Sequence, residues 1–194
     1  MAATARGPRT LWLLRHAKTV TNPPPGGGDF DRVLAPRGRR DAAALGRLFG
    51  GAGDGLGPDL RDVPRPQVAL VSPAARTVVT AELVLGDMAD PPRRRFDAGL
   101  YGADPEEVLA FVRELSDDVG SAMVVGHNPT VQTLSRSLLP LREEDVLSGA
   151  VGHGFPTCAL AVYSFDVDRW AGVAEGAASL VAVLAPPYEV DDPT

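Results

Sequence analysis

The chain has 194 residues, 44% hydrophobic and 23% charged, which suits one globular domain spanning 1–194 whose core needs no covalent staples. Its formal net charge of −6 argues against nucleic acid or an anionic membrane as partner, since both favour a basic face. The single cysteine, Cys158, excludes an internal disulfide, no apolar run is long enough to span a bilayer, and the N-terminus lacks a signal-peptide pattern, so a cytoplasmic protein is expected.

In chain order, Thr10 to Leu14 reads as a buried strand because its apolar run is short and continuous. "NPPPGGGD" in the stretch Thr21 to Arg32 predicts a loop, since proline removes donors and glycine raises the entropic cost of order. Pro36 to Phe49 predicts a helix, with proline early and Ala42, Leu45, Leu48 and Phe49 on one stripe. Gly50 to Pro66 is a second glycine- and proline-rich loop, and Gln67 to Val71 a strand. Ser72 reads as an N-cap and Pro73 as the first residue of a helix reaching Leu85. A short strand over Arg94 to Leu100 precedes a helix capped by Asp104, with Glu106 and Glu107 in the first turn, where the helix dipole favours acids. Ala122 to Val125 is a strand, and Asn128 or Pro129 opens a helix to Leu139. Strands over Cys158 to Phe165 and Ser179 to Leu184 close the chain. His153, in "GHGFP", reads as a loop residue. Alternating strands and helices predict a three-layer αβα fold with a mostly parallel sheet.

In such a sheet, ligands lie beyond the carboxyl ends of the strands, beside helix N-termini. Three predicted strands deliver nitrogen-rich side chains there. "LWLLRHAK" ends in Arg15 and His16; "VALVSPAART" sets Arg76 in the turn after a strand; "MVVGHNP" ends in His127. Each fragment alone has an ordinary structural explanation. Together they place guanidinium forks and unpaired backbone amides at one edge, which matches the oxygens of a phosphoryl group.

The same segments resemble the histidine phosphatase superfamily, also called phosphoglycerate mutase-like. "LRHAKT" is similar to its arginine–histidine–glycine signature, with Ala17 in the glycine position. "SPAARTVVTAE" and "VVGHNP" are similar to its second-arginine and second-histidine blocks. "DFDRVLAPRG", "LYGADPEEVL" and "GFPTCALAV" bring the likeness nearest to the short phosphohistidine phosphatases of the SixA type, although Val33 stands where those proteins carry proline.

That resemblance implies a metal-independent enzyme without a cofactor. His16 is the implied nucleophile, and Arg15, Arg76 and His127 hold the phosphoryl oxygens. Asn22 falls where many members have a phosphate-contacting asparagine. Members that cleave alkyl esters use a carboxylic acid to protonate the leaving oxygen. Asp97, in "FDAGLYG", is the nearest candidate, one residue out of register. Only about fifty residues separate Arg76 from His127, which leaves no room for a large lid insertion. Phosphohistidine in a protein of a signalling phosphorelay is the leading substrate. A small phosphorylated metabolite, or a non-catalytic phosphate-binding module of the same fold, are the alternatives. Oligomeric state is not readable from these residues.

Overall fold

The computed structural model describes residues 7–50, 58–151 and 154–188. His153 and residues 51–57 of the second predicted loop lie outside the described residues.

The elements in chain order are β1 (Arg9–Arg15), α1 (Pro36–Gly50), α2 (Pro58–Arg61), β2 (Val68–Val71), α3 (Ala75–Leu85), β3 (Arg93–Phe96), α4 (Pro105–Arg113), β4 (Ser121–Gly126), α5 (Thr130–Ser137), α6 (Glu144–Val151), β5 (Leu160–Phe165) and β6 (Ser179–Leu184). One six-stranded sheet runs in the order β3-β2-β4-β1-β5-β6. The expectation of a mostly parallel sheet holds for only part of it. β3, β2, β4 and β1 pair in parallel, but β1 with β5 and β5 with β6 are antiparallel. The cause is the connectivity. The first four sheet positions are linked through helices that cross a face, whereas β5 returns to β6 on the same edge without a crossover helix.

β1 shows why the middle layer is apolar throughout. Its alternate side chains feed opposite cores: Leu11 and Leu13 pack with residues of α4 and α5, while Trp12 and Leu14 pack with those of α1 and α3. All four are fully buried. A strand covered on both faces reads as a continuous hydrophobic run, and "LWLL" is that run.

Two glycines set the helix positions near β1. A Cβ on Gly46 would lie 2.2 Å from the carbonyl oxygen of Leu83, so only glycine lets α1 approach α3 this closely. A Cβ on Gly38 would lie 2.1 Å from the carbonyl oxygen of Lys18, and this glycine seats the first turn of α1 against the segment after His16. α4 carries the cap predicted for it: Asp104 accepts from the Glu107 amide, and Glu107 accepts from the Asp104 amide. The predicted start of α3 is displaced. Its N-cap is Ala74, and the Ser72 hydroxyl is engaged elsewhere. α2 and α6 were not foreseen: the glycines and short lengths around them mask any helical period.

Candidate active site

The sheet order explains why the three motif-bearing strand ends meet. β2, β4 and β1 are adjacent, and their pairing is level at the carboxyl edge: Arg15 lies opposite Gly126, and Val71 opposite Val125. The ladder continues one step past each strand. The His16 amide donates to the Gly126 carbonyl at 3.0 Å, and the Ser72 amide to the Val125 carbonyl at 3.2 Å. His16, Ser72 and His127 therefore leave a fixed backbone side by side.

The His16 and His127 side chains line a cavity of about 310 Å³ at that edge, with Arg15 and Arg76 also on its walls. The rings of His16 and His127 lie 5.2 Å apart. His16 is 9% exposed, and its Nδ1 faces the Ala17 carbonyl at 2.8 Å. A carbonyl only accepts, so Nδ1 carries the proton and Nε2 keeps its lone pair. Ala17 is itself held by its amide, which donates to Thr80 Oγ1 at 3.0 Å. The orienting contact thus rests on α3.

His127 is fixed through both nitrogens. Arg76 Nε donates to its Nδ1 at 3.2 Å, and its Nε2 lies 2.8 Å from Ser72 Oγ. With Nδ1 accepting, Nε2 is the protonated atom and donates to the serine. Burial pushes His16 down to about 4, with the charges of Arg76, Arg15 and Arg32 adding to the effect. Burial also takes His127 down to about 3, helped by His16 and Arg76. Both imidazoles are neutral near pH 7.

This arrangement has a consequence for stability. A histidine with an ordinary value of 6.5 in the unfolded chain takes up a proton there before it does so in the fold. Folding stability is therefore unaffected by these groups above about pH 6.5. It falls as the pH drops towards about 4, by up to ~1.4 kcal/mol per pH unit for each imidazole. Urea unfolding followed from pH 7 to 4.5 should show this loss, and His16→Gln should reduce it. A midpoint independent of pH in that window would show that the imidazoles are not buried in neutral form.

The arginines hold the other side of the cavity. Arg76 is 6% exposed; its NH1 donates to the Asp29 carbonyl at 2.6 Å and its NH2 to Asp29 Oδ2 at 2.9 Å. Arg15 NH1 donates to the Phe155 carbonyl at 2.6 Å, while its buried Nε has no acceptor among the described residues. Arg32 adds a third guanidinium, with NH1 on Asp29 Oδ1 at 3.0 Å. Lys18, Thr19, Asn128 and Thr157 complete the wall.

Asp29 is the one carboxylate among the cavity-lining residues; it lies in the same Thr21 to Arg32 loop as Asn22, the residue the sequence points to there. Its oxygens accept from Arg32, Arg76 and, at 3.0 Å, the Tyr101 hydroxyl. The Arg32 contact first, then Tyr101 and Arg76, hold its carboxyl below the usual range, so it is ionised at neutral pH. One carboxylate oxygen and the main-chain carbonyl of Asp29 together occupy the two NH groups of Arg76. Asp29 and Arg32 both lie in "DFDRVL", the signal that could have found them.

The two remaining predicted residues are not brought to the cavity. Asn22 is exposed in its loop and is not among the lining residues. Asp97 follows β3 and accepts from the Gly99 amide at 3.0 Å and from Arg95 at 3.3 Å. Tyr101, rather than Asp97, reaches the site, with its ring edge-on to His127 at 5.6 Å.

A solved structure from Nakamurella multipartitia, assigned as the phosphohistidine phosphatase SixA, is 31% identical with a TM-score of 0.72, covering 93% of this chain and 98% of that one. The chain belongs to the histidine phosphatase superfamily. The SixA assigned in Agrobacterium tumefaciens is also 31% identical, with a TM-score of 0.71 over 92% of this chain and 99% of that one. A SixA protein histidine phosphatase solved with tungstate shares the fold at 22% identity and a TM-score of 0.65, covering 91% of this chain and 97% of that one. An uncharacterised protein of Mycobacterium tuberculosis is 34% identical over 174 residues, 89% of this chain and 99% of that protein. No family model matches the chain.

Proposed function

We propose that this superfamily member is a metal-independent phosphatase that carries the phosphoryl group on His16 and acts on phosphohistidine in proteins. One observation carries the reading. His16 presents an unprotonated Nε2, fixed through Nδ1, to a cavity walled by guanidinium groups. A binding module needs the cations but has no use for an imidazole held ready to attack. The likeness to two proteins assigned as SixA supports the same substrate class, and a cytoplasmic phosphorelay is its natural setting.

Nε2 of His16 attacks phosphorus, and the bond from phosphorus to the substrate nitrogen breaks. The departing imidazole takes a proton from solvent. Arg76 and Arg15 hold the equatorial oxygens, where charge is greatest in the transition state. The phosphoryl oxygens replace the Asp29 carboxylate oxygen and main-chain carbonyl on the Arg76 guanidinium. Water then attacks phosphorus, releases inorganic phosphate and restores His16. His127 accepts from Arg76 Nε and thereby sets the plane of the guanidinium.

The cavity's one carboxylate favours this substrate over an alkyl ester. An alkoxide must be protonated as it leaves, and an ionised Asp29 has no proton to give. Phosphohistidine, with a weak P–N bond, is little affected. The rate should depend steeply on leaving group: phosphohistidine and aryl phosphates are hydrolysed, simple sugar phosphates slowly or not at all. Asp29→Asn should change phosphohistidine turnover by less than about tenfold and strengthen binding of inorganic tungstate, because it removes a competing anion. Asp97→Asn should change neither. Rapid hydrolysis of an alkyl phosphate that is lost in Asp29→Asn would establish the metabolite phosphatase instead, with Asp29 as its acid.

A further inference from the structure

A second cavity, of about 330 Å³, adjoins the first and has the opposite character. Leu100, Val108, Val124, Val131 and Leu134 form its floor, all buried, between β4 and the facing sides of α4 and α5. Gly102, Asp104, Pro129 and Thr133 lie at its rim, where chain segments meet helix starts on the same carboxyl edge of the sheet. His127 and Asn128 line both cavities, so one imidazole and one amide form the partition. Among the described residues no lysine or arginine lines the second cavity, so no side-chain cation there balances a second phosphate.

Three observations indicate what fits. The floor can bury a large apolar group within about one ring's width of the phosphoryl site. In the partition, Asn128 Nδ2 donates to Gln132 at 3.0 Å and to the Phe155 carbonyl at 3.1 Å, so the wall between the two cavities is held in place. Finally, the exposed Phe30 and Tyr101 rings stand edge-on at 5.0 Å, and Tyr101 is in turn edge-on to His127 at 5.6 Å. Exposed apolar side chains gathered beside a site mark a surface that meets another protein.

We propose that the second cavity receives a large aliphatic or aromatic side chain neighbouring the phosphorylated residue of a protein substrate. The apolar cavity then selects among phosphoproteins, while the arginine-walled cavity recognises the phosphoryl group. The inference rests on the reading of the His16 cavity as the phosphoryl site.

The test uses peptides bearing a non-hydrolysable triazole phosphonate in place of phosphohistidine, set in an alanine background. Leucine or phenylalanine is introduced singly at neighbouring positions, and Kd is measured by calorimetry. One neighbouring position should tighten binding about tenfold or more, the scale expected for burying such a side chain after ordering costs. Ala103→Leu, which fills the cavity, and Thr133→Phe, at its exposed rim, should each remove the preference and leave the all-alanine peptide's Kd unchanged. Equal affinity across the scan, or no binding of any peptide, overturns the inference. Hexylphosphonate binding far more tightly than methylphosphonate, with no preference among peptides, also overturns it and assigns the cavity to small amphiphilic phosphates. A neighbour preference without hydrolysis of the matching phosphohistidine peptide sustains the docking site and removes the phosphatase reading, so the two fail separately.

Discussion

His16→Ala is expected to abolish both turnover and the covalent intermediate. The wild-type protein, quenched rapidly with radiolabelled substrate, should carry a phosphoryl group that is labile in acid and stable in base, as a phosphoramidate is. The variant should carry none, and kcat should fall by at least about 10⁴, the scale seen when a nucleophile is removed from an otherwise intact site. The fold should survive. His16 makes one side-chain hydrogen bond, to its neighbour's carbonyl, and alanine leaves the strand-end ladder through the His16 amide in place. The pH profile gives an independent check. Protonation near 4, rather than 6.5, removes the attacking lone pair, so the acid limb of kcat/KM should lie well below neutrality. Label retained in His16→Ala, or an acid-stable label in the wild type, removes His16 from the nucleophile's role.

Arg76→Ala should lower kcat by a factor on the order of 10² to 10³, comparable with the loss of a preorganised oxyanion donor. Three of its contacts converge: Nε on His127, NH1 on the Asp29 carbonyl and NH2 on the Asp29 carboxylate. Removing the guanidinium deletes the clamp and frees His127 to rotate. Arg76→Lys should recover little, because an ammonium group cannot donate to His127 and present a planar fork at the same time. Arg15→Ala should also lose activity, because its guanidinium lines the same cavity. Near wild-type turnover in either alanine variant would place that arginine outside the reaction. Circular dichroism and a denaturation midpoint would separate loss of the clamp from loss of the fold.

Much of this site is legible in the sequence. "LWLLRH", "VSPAART" and "VVGHNP" each show an apolar run that ends in polar, nitrogen-bearing or helix-starting residues, and that contrast survives in one dimension. The helix of Pro36 to Phe49 was legible from its 3.6-residue stripe, and the Asp104 cap from local chemistry. Asp97 is different. It was singled out by its distance in sequence from a Tyr–Gly pair, but β3 ends just before it, and its side chain caps the following turn. Asn22 lies in a proline-rich loop whose path depends on packing. Ser72 was read as a helix cap because serine before proline is a common start; in the fold its hydroxyl meets His127, 55 residues away.

The sequence by itself determined which strands are buried on both faces and which residues stand at their ends, because hydrophobic period and turn chemistry are properties of neighbouring residues. It also carried the family likeness. Tertiary structure alone decided that β2, β4 and β1 lie side by side with level ends, that β5 runs against β1, and that Asp29 reaches across to the Arg76 fork. It alone set an apolar cavity behind His127. These are pairings between segments distant in the chain, and they follow from which faces pack together once the cores on both sides of the sheet close.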